Sequence, residues 1–208
     1  MKNVLVKNLS HDSFGFFLLL PGQLQYTLMH MTRGILIVGN DAPLSHAFVS
    51  EAAKRVDAVA AAFAPDPLLR LNDEDAPESE TAPAPEEGSA VISLPWNPSS
   101  AISSRALVTA ARNKLQHIDD AVLLCTPYAL RKKADELNPA EIEVLIADQI
   151  MSWFFLVRDL SACFHSQARG TLSLILSDTA GTGTREERVD LTGPSVAASF
   201  RALAQGVL

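Results

Sequence analysis

Gly34-Ile35-Leu36-Ile37-Val38-Gly39, running on into Asn40-Asp41-Ala42-Pro43-Leu44-Ser45, is the stretch that decides the fold. A short run of aliphatic residues, mostly branched, closed by a glycine, reads as a strand buried on both faces, which is the signature of a parallel sheet. Ser45 to Val56 follows with Phe48, Ala52 and Val56 on one side and Glu51, Lys54 and Arg55 on the other, the pattern of an amphipathic helix. A strand feeding a helix through a short turn is the first half of a strand–helix–strand unit.

Reading outward from there, the alternation continues. Asp57 to Phe63 is a weak second strand whose alanines do not rule out a continuing helix. Ala90 to Leu94 is a third strand. Pro98 and Ser99-Ser100 introduce a helix to Leu115, with Leu107, Val108, Ala111 and Leu115 on its apolar face. Ile118 to Cys125 is a fourth strand. Asn138-Pro139-Ala140-Glu141 combines a cap residue, a proline in the first turn and a glutamate three after the cap, so a long helix starts there and runs to about Gln167. Leu172 to Leu176 is a fifth strand, and Pro194 to about Gln205 a last helix. This order predicts an α/β fold, a doubly wound parallel sheet with helices on both faces. Ligands of such sheets lie at the carboxyl ends of the strands, which points to the turn from Gly39 to Ser45.

Composition narrows the function classes. The chain has 208 residues, 48% of them hydrophobic and 20% charged, with a formal net charge of -7. Pro65 to Gly88 holds eight acidic residues against Arg70 alone, so this one stretch accounts for the whole imbalance and the remainder is neutral. A neutral body lacks the basic face that nucleic-acid binding needs. The same stretch contains Pro65, Pro67, Pro77, Pro83 and Pro85 and reads as a disordered, solvated insertion at about 65–88 in a single domain of residues 31–208. Residues 1–30 read as an extension outside that fold. Its apolar run Phe14-Gly15-Phe16-Phe17-Leu18-Leu19-Leu20 is only seven residues long, and a membrane span needs about 20. The two cysteines, Cys125 and Cys163, read as buried free thiols in a reduced cytoplasm, and the five histidines show no metal-ligand spacing. Ser177-Asp178 with His165 lacks a nucleophile-elbow motif, which argues against a hydrolase. Thr179 to Thr184 lacks the lysine of a phosphate-binding loop and reads as a flexible connection.

Four segments in this order resemble the short-chain dehydrogenase/reductase family, whose fold is Rossmann-like. His117-Ile118-Asp119-Asp120-Ala121-Val122-Leu123-Leu124-Cys125-Thr126-Pro127 resembles its "G-x-I-D-x-L-V-N-N-A-G" strand. Pro139 through Arg158 resembles its "T-P-E-E-F-…-V-N-L" helix, Gly170 to Ser177 its "G-x-I-V-N-I-S-S" strand, and Phe200-Arg201-Ala202-Leu203-Ala204 its "L-T-R-A-L-A" helix. Together they cover roughly residues 33–206. The resemblance implies an NAD(P)-dependent oxidoreductase with Ser177 as the catalytic serine and Gly39, Asn40, Asp41 and Cys125 beside the cofactor.

The departures are as informative. Of the family's "T-G-x-x-x-G-x-G" turn only Gly39 matches, with Pro43 and Ser45 at the other glycine positions. Glycines there let the backbone approach the pyrophosphate. The family's helix asparagine becomes Gln149, with Asp148 beside it. Counting back from Leu203-Ala204 puts Val189 at the position of the family's catalytic Tyr and Gly193 at that of its Lys. Neither side chain can transfer a proton, a contribution typically worth about 10²–10⁴-fold in rate. The expectation is therefore lost or much reduced oxidoreductase activity, with no or weak NAD(P) binding. The alternative is an active enzyme with an atypical site around Ser177. The long helix carries Trp153, Phe154 and Phe155 in succession, and helical neighbours point about 100° apart, so they cannot all face the sheet. An outward aromatic ridge beside Met151 and Leu160 points to a homodimer or homotetramer, or to a paralogous partner, through the helix that pairs subunits in the family.

Overall fold

The computed structural model describes residues 33–56, 58–65, 67, 91–128, 130, 132–177 and 192–207. The extension expected at 1–30 and nearly all of the acidic segment lie outside the described residues. The element order is β1 (Gly34–Asn40), α1 (Pro43–Ala52), β2 (Ala58–Ala64), β3 (Val91–Ser93), α2 (Ala101–Leu115), β4 (Asp120–Cys125), a 3₁₀ turn (Ala134–Glu136), α3 (Pro139–Ile146), a π-helical turn (Ala147–Met151), α4 (Ser152–Gln167), β5 (Thr171–Leu176) and α5 (Thr192–Gly206). All strand pairs are parallel, in the order β3-β2-β1-β4-β5. The alanine-rich segment is a strand, settled by its pairing with β1 from Gly34↔Ala58 to Asn40↔Ala64.

Alternation along the strands builds two cores. Leu36, Val38, Ala60, Ala62, Leu123, Cys125 and Leu174 point one way, against α2, α4 and α5. Ile35, Ile37, Val59, Ala61, Val122 and Leu124 point the other way, against α1. The sheet is thus doubly wound, with helices on both faces. The small alanines of β2 keep that side of the sheet thin beneath α2, and the larger residues of β1 and β4 fill the centre.

Helix boundaries differ from the sequence reading in α1 and in α5, which begins at Thr192, two residues before the expected Pro194. Helix α1 starts at Pro43, two residues earlier than expected, because proline at the first helical position has its φ preset and no N–H to satisfy. It ends at Ala52, short of Val56. At 139–167 the helical rod forms as expected at its start: Asn138 Oδ1 accepts from Glu141 N at 2.8 Å, and Asn138 N donates to Glu141 Oε2 at 3.1 Å. It is then interrupted by the π turn. Five residues separate Ile146 from Met151, which in an α-helix overshoots one turn by about 140°. A turn bonded i→i+5 absorbs the extra residue. The exposed Ile142, Ile146, Met151 and Phe154 are thereby drawn toward a common side.

The three successive rings separate as the 100° step requires. Trp153 is buried, 5.8 Å from Trp96 and 5.4 Å from Phe200 between ring centroids. Phe155 is half-buried, with the Arg158 guanidinium 5.6 Å from its ring. Phe154 is 49% exposed. Leu160 does not belong to the ridge: it is fully buried on the sheet side, one α-helical turn beyond Leu156, which is buried too. Cys125 and Cys163 are buried free thiols, as expected. Among the described residues no helix is long and apolar enough to cross a membrane, and no three potential ligands cluster around a metal position.

Candidate functional site

The connections leaving β1 and β4 run to opposite flanks of the sheet, α1 to one face and the 139–167 rod to the other, so the crevice between the carboxyl ends of these strands is the switch point. Asn40 ends β1. It is buried, and its Oδ1 accepts a hydrogen bond from Thr126 N at 3.1 Å, which ties the end of β1 to the residue after β4. On the other side Asp41 N donates to Ala64 O at 2.8 Å and fixes β1 to β2. The turn is left with Asp41 and Ala42 before Pro43 opens α1.

Gly39 is closely packed. A Cβ there would lie 2.8 Å from Ser45 Oγ, 3.1 Å from Leu124 Cβ and 3.2 Å from Leu124 O. Ser45 therefore points into the joint between α1 and β1. It is fully buried, and its Oγ has no hydrogen-bond partner among the described residues. Asp41 and His46 face the solvent at the mouth, with Asp41 Oδ1 and His46 Nε2 2.6 Å apart and the imidazole edge-on to Phe63 at 4.7 Å.

The expected site residues fall on neighbouring strand ends. Gly39, Asn40 and Asp41 lie on or just after β1, and Cys125 ends β4. Ser177 follows β5, half-buried, and its N–H donates to Cys125 O at 2.8 Å, so it continues the β4–β5 ladder by one step. Of the two positions aligned with the family's Tyr and Lys, Val189 lies outside the described residues, and Gly193 sits buried in the first turn of α5.

Several contacts near this end of the sheet were not read from the sequence, among them those of Thr192, Lys132 and Ser99. Thr192 Oγ1 donates to Tyr128 O at 3.1 Å and accepts from Leu130 N at 3.3 Å, which pins the loop after β4 to the start of α5. Tyr128 and Lys132 have the four-residue interval of the family's Y-x-x-x-K pair. They stand in a loop, however, where that interval does not stack two side chains as it does on a helix, and Lys132 Nζ is engaged at 2.5 Å by Glu141 Oε1. That contact, with the Asn138 N–H bond after it, lowers the Glu141 carboxyl below its ordinary pKa. Asp148, in the π turn, is buried and bonded by Ser99 Oγ from the loop after β3, while its carbonyl accepts from Ser152 Oγ at 2.6 Å. Gln149 beside it is fully buried, with Oε1 unpartnered among the described residues. The sequence signal for this cluster was the pair of polar residues inside an otherwise apolar helix.

No sequence-family model matches the chain, and no curated protein does. Solved structures match it in fold. A metagenomic short-chain oxidoreductase in complex with NADP superposes with a TM-score of 0.60 at 17% identity, over 84% of this chain and 74% of that one. Levodione reductase gives 0.57 at 16%, over 84% and 64%. A short-chain dehydrogenase/reductase from Serratia marcescens gives 0.54 at 13%, over 84% and 66%. The chain spans about half to three quarters of the length of the solved structures it matches. With a parallel 3-2-1-4-5 sheet, its switch point at β1 and β4, and these structural neighbours, the chain has the fold of the short-chain dehydrogenases/reductases.

Proposed function

We propose that this chain keeps the short-chain dehydrogenase/reductase scaffold while its oxidoreductase activity is lost or much reduced, and that it acts by associating with itself or with a paralogous subunit. The observation that carries this reading is the built geometry of the β1–α1 turn. A pyrophosphate held at a helix N-terminus needs free N–H groups and close backbone approach. Pro43 removes a donor at the first helical position, and the Ser45 N–H is already bonded to Ala42 O at 2.9 Å. The Asp41 carboxylate stands at the mouth, where it repels an anion. These residues do not fit the cofactor as a glycine turn does, so NAD(P) binding is expected to be absent or weak.

The chemistry points the same way. In the absence of a proton donor at positions 189 and 193, reduction of a carbonyl would have to proceed without general acid catalysis, forfeiting about 10²–10⁴-fold. The test is a panel of ketone and aldehyde substrates assayed with NADH and NADPH. Turnover at the buffer background is expected, and a kcat above about 1 s⁻¹, within the ordinary enzyme range, would overturn the proposal. One observation favours the second reading, an active enzyme with an atypical site: Ser177 is held beside Cys125 at the same end of the sheet as the crevice. Under that reading, Ser177→Ala removes whatever turnover the wild type shows.

Association is proposed through the outward side of the 139–167 rod. Ile142, Ile146, Met151 and Phe154 are each 40% exposed or more. A row of this kind is covered most simply by the same row of a second copy across a two-fold axis.

A further inference from the structure

The edge of a sheet presents backbone groups that another strand can take up, and natural folds blunt it with charge, proline, a bulge or brevity. The two edges of this sheet differ. At one of them β3 is only three residues long, Val91–Ser93. At the other β5 has six, Thr171–Leu176, and the stretch from Gly170 to Ser177 contains no charged residue and no proline. The ends of the β4–β5 ladder fix which backbone groups face outward. Thr171 N donates to Asp119 O and Ser177 N to Cys125 O, both at 2.8 Å, so the odd-numbered residues turn their N–H and C=O groups toward β4. Leu172, Leu174 and Leu176 therefore turn theirs away from it. Among the described residues no strand meets that edge. The side chains of the same three leucines are buried in the core shared with α5, while Thr171, Ser173 and Ile175 are half-exposed on the α1 face.

We propose that β5 pairs antiparallel with β5 of a second copy of this chain, across a two-fold axis through Leu174. Three arguments select a second copy as the partner. The first is register. With Leu174 opposite its own copy, Leu172 of each strand stands opposite Leu176 of the other, and every such pair exchanges both of its backbone hydrogen bonds. No outward N–H or C=O between 172 and 176 is left over, and Ser173 stands opposite Ile175 of the second copy at the closer, non-hydrogen-bonded positions. The second is charge: like charges opposite each other destabilise a strand pair, and an uncharged strand meets none in its own copy. The third is closure. A contact that is the same on both subunits uses the edge up at two chains, whereas a head-to-tail array would need β3 as the other half, and β3 is too short to match β5. The pairing uses no residue of the 139–167 rod, so it goes beyond the association proposed there and does not depend on it. Bonds across the edge replace bonds to water, so the net affinity of one such contact is small. A chain whose rod contact is broken therefore stays monomeric at micromolar concentration and pairs through β5 only when concentrated.

Trapping by disulfides tests the register as well as the contact. Opposite residues at non-hydrogen-bonded positions of antiparallel strands have Cα atoms about 4.5 Å apart, within disulfide range. Full-length protein carrying both Ser173→Cys and Ile175→Cys is oxidised at high concentration beside each single variant and the wild type, with the buried Cys125 and Cys163 left in place. The expected product is a covalent dimer from the double variant, joined between positions 173 and 175, in several-fold higher yield than from either single variant. The same product is expected in a Phe154→Asp background, which separates this contact from the rod. The second readout needs no substitution in β5: amide hydrogen exchange of the wild type, resolved by residue. Exchange at Leu172, Leu174 and Leu176 is expected to slow as protein concentration rises, while Ser173 and Ile175, bonded to β4, stay protected throughout. Equal yields from the double and single variants overturn the proposal, and so do leucine amides that exchange at the same rate at every concentration. Leucine amides protected equally at high dilution overturn it too, because the edge is then taken up within one chain.

Discussion

Phe154→Asp separates assembly from folding. Phe154 is 49% exposed and lies in a row with Ile142, Ile146 and Met151, each 40–45% exposed, so the isolated chain loses little packing when the ring is replaced. Surface changes of this kind usually stay within about 0.5 kcal/mol. In a dimer the same position is a desolvated aromatic anchor, where truncation typically costs about 2 kcal/mol or more, and a buried, unpaired carboxylate adds to that cost. Two kcal/mol alone weakens a dissociation constant about 30-fold. The neighbouring Trp153 supplies the contrast. It is 2% exposed and wedged between Trp96 and Phe200, so Trp153→Ala should cost about 3–5 kcal/mol of fold stability whatever the oligomeric state. Multi-angle light scattering and thermal melts on the two variants resolve these effects. The expected outcome is a wild-type dimer or tetramer, a monomeric or aggregating Phe154→Asp chain, and an early-melting Trp153→Ala chain. A wild type that is monomeric at tens of micromolar refutes the argument from the exposed row.

Three further outcomes follow from particular contacts. Gly39→Ala pushes a methyl against Ser45 Oγ and the Leu124 backbone, so it should destabilise by about 1–3 kcal/mol in denaturant unfolding; Ser45→Gly in the same chain should restore part of that loss, since the Leu124 contacts remain. Glu141 has its folded pKa lowered by the Lys132 hydrogen bond first and the Asn138 N–H second, so its stabilisation is present above the ordinary carboxylate pKa and is lost as pH falls through the lowered folded value; Glu141→Gln should flatten the acid side of a melting-temperature profile. Deleting Asp66–Glu87 should shift the melting temperature little, because closing a shorter or longer loop changes the entropy only slowly; an unfolded or disassembled deletion variant would show that the segment carries structure.

The strand and helix order was legible because each strand is a short branched or alanine run and each long helix announces its start. Asn138-Pro139-Ala140-Glu141 forms the box its spacing predicted, and Ser100 Oγ caps α2 by accepting from Ser103 N at 3.2 Å. That one of three consecutive rings must face outward followed from helical geometry alone. Which one did not, since the phase depends on the π turn, and no local motif marks the insertion of one residue into an i→i+4 ladder. Leu160 was misplaced for a simpler reason: six residues beyond Phe154 in the same α-helix it lies about 240° round, which puts it with the buried Leu156 on the sheet side. At the crevice, the loss of glycines was readable, but the inward turn of Ser45 onto Gly39, whose other neighbour Leu124 is far away in the chain, was not. The Ser99–Asp148 bond joins residues 49 apart and leaves no periodic trace.

The central claim, a dehydrogenase scaffold without a working nucleotide cradle, is tested most directly by isothermal calorimetry of purified protein with NADPH and, separately, NADH. Pro43, the engaged Ser45 N–H and the Asp41 carboxylate predict no association tighter than roughly millimolar for either nucleotide. A dissociation constant in the micromolar range for either one would contradict it, and would return Ser177 and the crevice around Asn40 to the role of an active site.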